Sequence, residues 1–512
     1  MTDKMTDKGE IFVEGNKNQE EYEENLEGNE HKMEERIKYE DPDDFKGYSL
    51  LDKYQLFGLF FCLGIINHLG TILVMTGGRL LAYELGMKDY VTIYTSVATI
   101  FSVVTRIINS KLCLKVSYKK RVIIISIWML LGYVSMFAVL TLHQAISEDY
   151  NALCFVLSFI PCFFLGSSYA FGESAMIAYL RLFPKTLIGG WSSGTGLSGM
   201  ISGGLNFLSQ LIDGFTLRFL YLFLCPVGFL YLFLFMLTYR ILKKHERKME
   251  RIKKYTASIG ISRNTETKGG EITSREIHQF ETENPNVNFE KEELDKKSIK
   301  EEEDKEMEDM NKANQEMSFE NFSKVMKMCG QVIINLGIIY FLQFFCVNGL
   351  IVRVCSKVDI RFLPTGTSDK GHIYRRGKYE FINLFFQVGM FISKSFIKIV
   401  RKIQPIEVYT ISIGLVNILY FVEYYTGFLT WPFFIPIGVI LGFFSGGTYA
   451  GGFYTILNSE RVEKNYKELT VNVATLFNDT GTFLSGILGF LALKFWINDE
   501  SAFPGEEIPK DL

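Results

Sequence analysis

Residues 54–76 read YQLFGLFFCLGIINHLGTILVMT, a segment that contains no acidic side chain and no Lys or Arg. A helix of about 20 mainly apolar residues crosses roughly 30 Å of hydrocarbon, so this segment is long enough to span a bilayer. Mainly apolar segments of similar length recur at 90–110, 121–142, 152–180, 187–211, 217–240, 327–352, 378–400, 406–427, 431–457 and 469–496. The sequence therefore predicts an all-α polytopic membrane protein with about 11 transmembrane helices.

Polar residues are concentrated outside these segments. Residues 1–46 hold 16 acidic and 7 basic side chains, and residues 241–320 are rich in Glu, Lys and Asn. This division argues against a single soluble domain, a nucleic-acid binder and a secreted disulfide scaffold. It predicts an acidic disordered tail (1–52), a six-helix bundle (53–240), a charged disordered loop (241–326), a five-helix bundle (327–496) and a short acidic tail (497–512).

The orientation follows from the basic residues of the connections. Lys and Arg accumulate after helices 2, 4, 6 and 8, with eight basic side chains in 240–254 alone. Cytosolic connections carry such an excess, so the N-terminus is expected in the cytosol and, after about 11 crossings, the C-terminus in the lumen. The connection 353–378 is also basic but follows helix 7. We expect either a lumenal loop or a short interfacial helix there.

An internal repeat divides the chain into two halves. GSSYAFG at Gly166–Gly172 in helix 4 recurs as GGTYAGG at Gly446–Gly452 in helix 10, six helices later. Helices 5 and 11 also share a Thr-Gly pair followed by Leu-Ser-Gly. The alternative is chance, because small residues are common where membrane helices pack closely. Duplication predicts two pseudo-symmetric bundles (6+5) of the major-facilitator type, with Tyr169 and Tyr449 at matching depths.

Ionisable and polar side chains inside these helices are the candidate functional residues. A charged group near the bilayer centre costs roughly 3 kcal/mol and normally faces a cavity or a partner. Glu173 and Asp479 are thus proton or cation sites, or carboxylates hydrogen-bonded for structural reasons. Arg106 is either a residue of the central cleft or a side chain that snorkels to the interface, and snorkelling is the expectation. Asn67, His68, Gln343, Asn348 and Gln387 could bind a polar solute or join helices.

The string WSSGTG at 191–196 is predicted to open helix 5. Free backbone N–H groups at a helix start bind anions, with Ser192, Ser193 and Thr195 beside them; tight helix packing is the alternative. The eight cysteines are scattered and form no cluster with histidine, so neither a metal site nor a cofactor is expected. No nucleophile–base pair or phosphate-binding loop appears, so an enzyme is not expected.

Several of these motifs resemble the battenin family of lysosomal and vacuolar membrane proteins. Gly172-Glu173, Pro184 and the WSSGTG string follow the family signature in order, and QVGMFISKS at 387–395, which contains Lys394, is similar to its eighth-helix segment. Asn67, Asn348 and Asp479 also fall on family motifs, and the resemblance covers about 54–496 without the central loop. The family's polar residues are replaced by His68, Gln343, Lys394 and Gly451.

The resemblance implies a major-facilitator-like transporter in the lysosomal or vacuolar membrane. The family is associated with lumenal pH, basic amino acids such as arginine, and clearance of glycerophosphodiesters. The expected function is therefore alternating-access transport of a small polar solute, coupled to protons. The alternatives are an equilibrative nucleoside-type transporter and a membrane scaffold for endolysosomal trafficking. In the scaffold hypothesis the acidic tail and central loop bind cytosolic partners.

Overall fold

The computed structural model describes residues 50–262 and 317–492, with short gaps in the connections at 88–89, 91, 114–115, 147, 181, 185, 213, 359, 364, 368–372, 376, 401 and 403–405. The predicted tails, up to residue 49 and from residue 493, lie outside the described residues, as does most of the predicted central loop. The described chain folds into eleven successive helical segments, which confirms the all-α polytopic class.

The first half contains six of these segments. Their bounds are α1 Leu50–Thr76, α2 Ile93–Ile108, α3 Tyr118–Ala145, α4 Asn151–Leu157 continued by Phe159–Leu180, α5 Leu187–Leu211, and α6 Leu217–Leu224 continued by Val227–Ser262. A short helix, Gly78–Glu84, follows α1, and a π-helical turn, Asn109–Cys113, extends α2.

The second half contains the other five. They are α7 Phe319–Phe345, continued through a π-helical turn (Cys346–Ile351) into Val352–Lys357, α8 Lys378–Ser395, α9 Glu407–Thr426, α10 Trp431–Asn458 and α11 Lys467–Leu491. A small antiparallel hairpin, β1 Thr365–Thr367 with β2 Ile373–Arg375, lies between α7 and α8. The connection 353–378 therefore holds one helical turn and a hairpin.

Two boundaries differ from the sequence prediction. Helix α6 continues to Ser262 rather than ending near 240, and α7 begins at Phe319 rather than near 327. The extension of α6 is rich in Lys, Arg and Glu, which are good helix formers but strongly hydrophilic. Hydropathy marks where a helix leaves the membrane and not where the helix ends, so the prediction stopped too early.

Four segments are shorter or less apolar than the rest, and they form the contact between the halves. Seven described segments are long and apolar enough to cross a membrane by composition alone, while α2, α5, α8 and α11 are not among them. Helix α5 packs on α8, and α2 packs on α11. Because these helices face protein on most sides, they can carry small and polar residues that lipid-facing helices exclude.

The repeated glycines occupy equivalent places in the two halves. In α4, Gly166 meets the backbone carbonyl of Ala98 in α2, and in α10, Gly446 meets the backbone carbonyl of Met390 in α8. A Cβ at either position would collide with backbone, so both pairs of helices need glycine to approach this closely. The α4–α2 and α10–α8 contacts are thus matched, as duplication predicts.

The two ends of the bundle differ in the connections that they carry. The even face carries the connections after α2, α4, α6, α8 and α10, and it is the side predicted to be cytosolic. The odd face carries the connections after α1, α3, α5, α7 and α9.

Candidate functional site

Arg106 of α2 lies at the centre of the bundle and is 1% exposed. Its Nε donates to Asp479 Oδ2 at 2.5 Å, and its Nη2 donates to Glu173 Oε2 at 2.6 Å. Nη1 donates to the Ala170 carbonyl at 3.1 Å and to Ser174 Oγ at 2.9 Å. The expectation that Arg106 snorkels is therefore wrong, because α4 and α11 supply two carboxylates that hold it inside.

Glu173 is contacted by three other side chains. Besides Arg106, it accepts a hydrogen bond from the Tyr449 hydroxyl at 2.6 Å, and His68 Nε2 lies 3.3 Å from its Oε1. The His68 ring packs edge-on against Tyr169, with a centroid distance of 4.8 Å. Since Tyr449 comes from α10 and His68 from α1, Glu173 joins the two halves.

Lys394 of α8 is the second buried cation at the centre of the bundle. Its Nζ donates to Thr195 Oγ1 of α5 at 3.1 Å and lies 4.2 Å from the centroid of the Tyr449 ring. Thr195 Oγ1 in turn donates to the Ser192 carbonyl at 2.8 Å. Lys394 thus lies across the contact between α5 and α8.

We call these residues the central cluster: His68, Arg106, Glu173, Lys394, Tyr449 and Asp479. None of them is more than 3% exposed. With a neutral histidine, the two cations balance the two carboxylates. Mutual pairing offsets much of the cost of burying these charges, and a cluster of this kind can accept a proton or bind a polar solute.

The remaining predicted residues lie around the cluster or away from it. Asn67 donates to the Tyr169 carbonyl at 3.1 Å, beside His68. Gln343 is buried, and neither of its amide atoms has a hydrogen-bond partner among the described residues. Gln387 lies against Gly199 in the α5–α8 contact. Asn348 lies toward the odd face, where it donates to Thr95 Oγ1 at 3.0 Å.

The WSSGTG string does not open α5. The helix begins at Leu187 with Thr186 as its N-cap, so residues 191–196 lie one turn or more inside it. Their backbone N–H groups are used within the helix, and the predicted anion site at a helix start is wrong. Ser193 Oγ donates back to the Gly189 carbonyl at 2.7 Å, whereas Ser192 Oγ has no partner in the described chain.

Contacts at the even face also join the two halves. Arg121 Nη1 of α3 and Glu468 Oε1 of α11 are 2.6 Å apart, and both side chains are fully buried. Beside them, Asn109 Nδ2 donates to Asn472 Oδ1 at 2.9 Å. We call these four residues the even-face lock.

A looser set of contacts closes the odd face. Arg79 Nη1 lies 3.9 Å from Glu380 Oε2, and Asn348 holds Thr95 of α2. The central cluster therefore lies between two layers of contacts, and each layer bridges the halves.

The fold and the buried ionic cluster define a polytopic helical membrane protein whose two halves meet at buried charges. A POT family transporter in complex with a thioalcohol-conjugated peptide shares the fold with a TM-score of 0.50 at 13% identity, over 86% of this chain and 90% of that chain. A D-xylose–proton symporter also gives 0.50, at 12% identity over 86% and 91%. At such identities the likeness shows the fold alone, which is major-facilitator-like.

The family follows from the sequence comparisons. The profile described as CLN3 protein matches residues 58–497. Battenin of Dictyostelium discoideum is 23% identical over 462 residues, which cover 88% of this chain and 95% of that protein. The chain belongs to the CLN3 protein family, and the resemblance to battenin is confirmed.

Proposed function

We propose that this protein transports a small polar solute across the membrane by alternating access, with the central cluster as its binding site. One observation carries the proposal: ionisable side chains from both halves meet in the membrane interior, closed from both faces. Charged side chains inside membrane helices are costly and rare, and they mark solute and ion pathways. Following the family resemblance, we place the protein in the lysosomal or vacuolar membrane, with a basic amino acid or a glycerophosphodiester as solute.

Alternating access requires the two layers of contacts to separate one at a time. Opening the even face separates Arg121 from Glu468, while Arg79 and Glu380 hold the other end. Opening the odd face reverses this. Contacts at both ends support an occluded state, from which a solute that binds one open state more tightly shifts the population.

Proton coupling is proposed to act through Glu173. Its carboxylate accepts from Tyr449 and pairs with Arg106, so it holds α10 and α2 against α4. Protonation removes the charge that both partners bind and loosens this contact between the halves. His68, 3.3 Å away, is positioned to deliver or receive the proton.

Glu173→Gln is expected to abolish pH-dependent uptake while the protein still reaches the membrane. Gln keeps the shape and an acceptor for Tyr449 but cannot titrate. The measurement is uptake by proteoliposomes with and without an acidic interior, using L-arginine, glycerophosphoglycerol and uridine. Glu423→Gln is the matched control, since Glu423 is equally buried but accepts from the Leu429 N–H near the odd face.

Several results would count against this proposal. Wild-type behaviour of Glu173→Gln across pH 4.5–7.5 would exclude its proton role. Uptake of uridine alone would favour the nucleoside-type alternative. A wild-type protein that moves none of the three solutes, yet binds cytosolic partners through its polar segments, would favour the scaffold.

The orientation is tested separately by protease protection. Tags at the N-terminus and within 260–310 are expected to be accessible from the cytosol in intact vesicles, while a C-terminal tag is protected. The reason is the excess of Lys and Arg in the even-face connections. A C-terminal tag cleaved without detergent would contradict this orientation.

A further inference from the structure

The two buried cations of the central cluster have very different partners. Arg106 donates to two carboxylates, one carbonyl and one hydroxyl, so its donors are largely used. Lys394 donates to a single hydroxyl and faces a ring, and it makes no ion pair with any residue in the described part of the chain. Burying an ammonium group without a contacting anion costs free energy. A residue that carries this cost inside a membrane protein is by default a candidate functional residue.

Donors without partners lie on the same helix as the Lys394 contact. Trp191 lies four residues before Thr195, and Ser192 lies three residues before it. This spacing places Trp191 and Ser192 on the side of α5 that Thr195 occupies. Trp191 is 1% exposed, and its Nε1 has no hydrogen-bond partner among the described residues, nor has Ser192 Oγ. An indole N–H can only donate, so an acceptor must come from elsewhere.

Close packing of α5 on α8 places Lys394 next to the helix that carries these donors. A Cβ at Gly196 would lie 3.3 Å from Lys394 Cβ, so α5 and α8 approach each other closely at this level. The centroids of the His68 and Trp191 rings are 5.9 Å apart, which places the Trp191 ring next to the His68–Glu173 pair. The ammonium, the indole N–H and the hydroxyls thus border one part of the cluster.

We propose that Lys394, Trp191, Ser192 and Thr195 form a subsite for an anionic oxygen group of the transported solute, a carboxylate or a phosphate ester. This rests on the proposed transport function and names the substrate class. An ammonium with N–H and O–H donors binds such oxygens through charge-assisted hydrogen bonds. Arg106 has a different task, because its carboxylate partners already neutralise it.

Lys394→Met in the purified full-length protein tests the subsite, with Lys394→Arg as the charge-keeping variant. Lys402→Met is the matched control, since Lys402 is exposed. Thermal unfolding is followed with L-arginine against L-argininamide, which lacks the carboxylate, and with glycerophosphoglycerol against diglycerol, which lacks the phosphate. The first pair tests a carboxylate and the second a phosphodiester.

We expect the wild-type melting temperature to rise with at least one of the two probes that carry an anionic group and not with its matched analogue. Lys394→Met should weaken that binding about tenfold or more, as loss of a charge-assisted hydrogen bond does. Without a probe, its melting temperature should equal or exceed that of the wild type, because a buried ammonium that contacts no carboxylate is removed. Lys394→Arg should retain binding.

Other results would overturn the subsite. A melting temperature lowered by Lys394→Met would show a structural role, and unchanged affinity in this variant would show that Lys394 does not contact the probe. Equal stabilisation by the matched analogue that lacks the carboxylate or the phosphate would exclude the anionic group. Uptake of a neutral solute in proteoliposomes, with no anion bound, would overturn the subsite and leave the transport proposal standing.

Discussion

Arg106→Gln is expected to remove most of the correctly folded protein. The substitution leaves Glu173 and Asp479 buried, with no cation bonded to Asp479 and with Glu173 left to His68 and Tyr449. Removing one partner of a buried ion pair costs roughly 3–5 kcal/mol, and Arg106 serves two carboxylates. The measurement is the yield of monodisperse protein after solubilisation, together with its melting temperature. Both should fall sharply.

The matching control removes Arg106 together with both of its carboxylate partners. Arg106→Gln combined with Glu173→Gln and Asp479→Asn eliminates both ion pairs and leaves no unpaired carboxylate; Lys394, which contacts no carboxylate in the wild type either, is unchanged. Yield and melting temperature should therefore recover toward wild type while transport stays absent. Recovery would show that pairing, and not the guanidinium shape, holds the fold. If Arg106→Gln alone folds as well as the wild type, the ion pairs at the centre contribute no net stability.

Arg106 also shows where prediction from the sequence fails. The membrane helices, the two acids and His68 could be identified because hydropathy and local composition are properties of single segments. The pairing of Arg106 with Asp479 joins residues far apart in the chain, and no local pattern contains it. One signal was available, because an arginine inside a predicted span normally faces the bundle interior.

The WSSGTG string of α5 shows a second limit of prediction from the sequence. Of the two interpretations of the string at 191–196, the anion site at a helix start fails because α5 begins at Leu187, and tight helix packing agrees with the structure. The small residues instead allow α1 and α8 to approach closely, and the polar side chains contact Lys394. A sequence motif can thus indicate a site while the helix bounds, which depend on the fold, decide which atoms are free to act.

Single neutralisation of the even-face lock is expected to open that face. Glu468→Gln leaves the fully buried Arg121 without its carboxylate, at a cost of roughly 3–5 kcal/mol borne only when the face is closed. Each 1.4 kcal/mol changes an equilibrium constant tenfold. The population with an open even face should therefore rise even if only part of this cost falls on the closed state. Thr475→Cys, two turns deeper in α11 and fully buried, should then react with a membrane-impermeant maleimide about tenfold faster or more.

Two further variants separate the lock from a general loosening of the protein. The exchange Arg121→Glu with Glu468→Arg restores opposite charges and should return Thr475→Cys labelling toward the wild-type rate. Glu463→Gln breaks the exposed pair with Lys324, whose atoms are 2.9 Å apart, and should leave labelling unchanged because exposed pairs contribute little. If Thr475→Cys is labelled at the same rate with Glu468 present and with Glu468→Gln, Arg121 and Glu468 do not control this face. Faster labelling that the exchange fails to reverse would indicate damage to packing, and the even-face lock would then be a structural contact only.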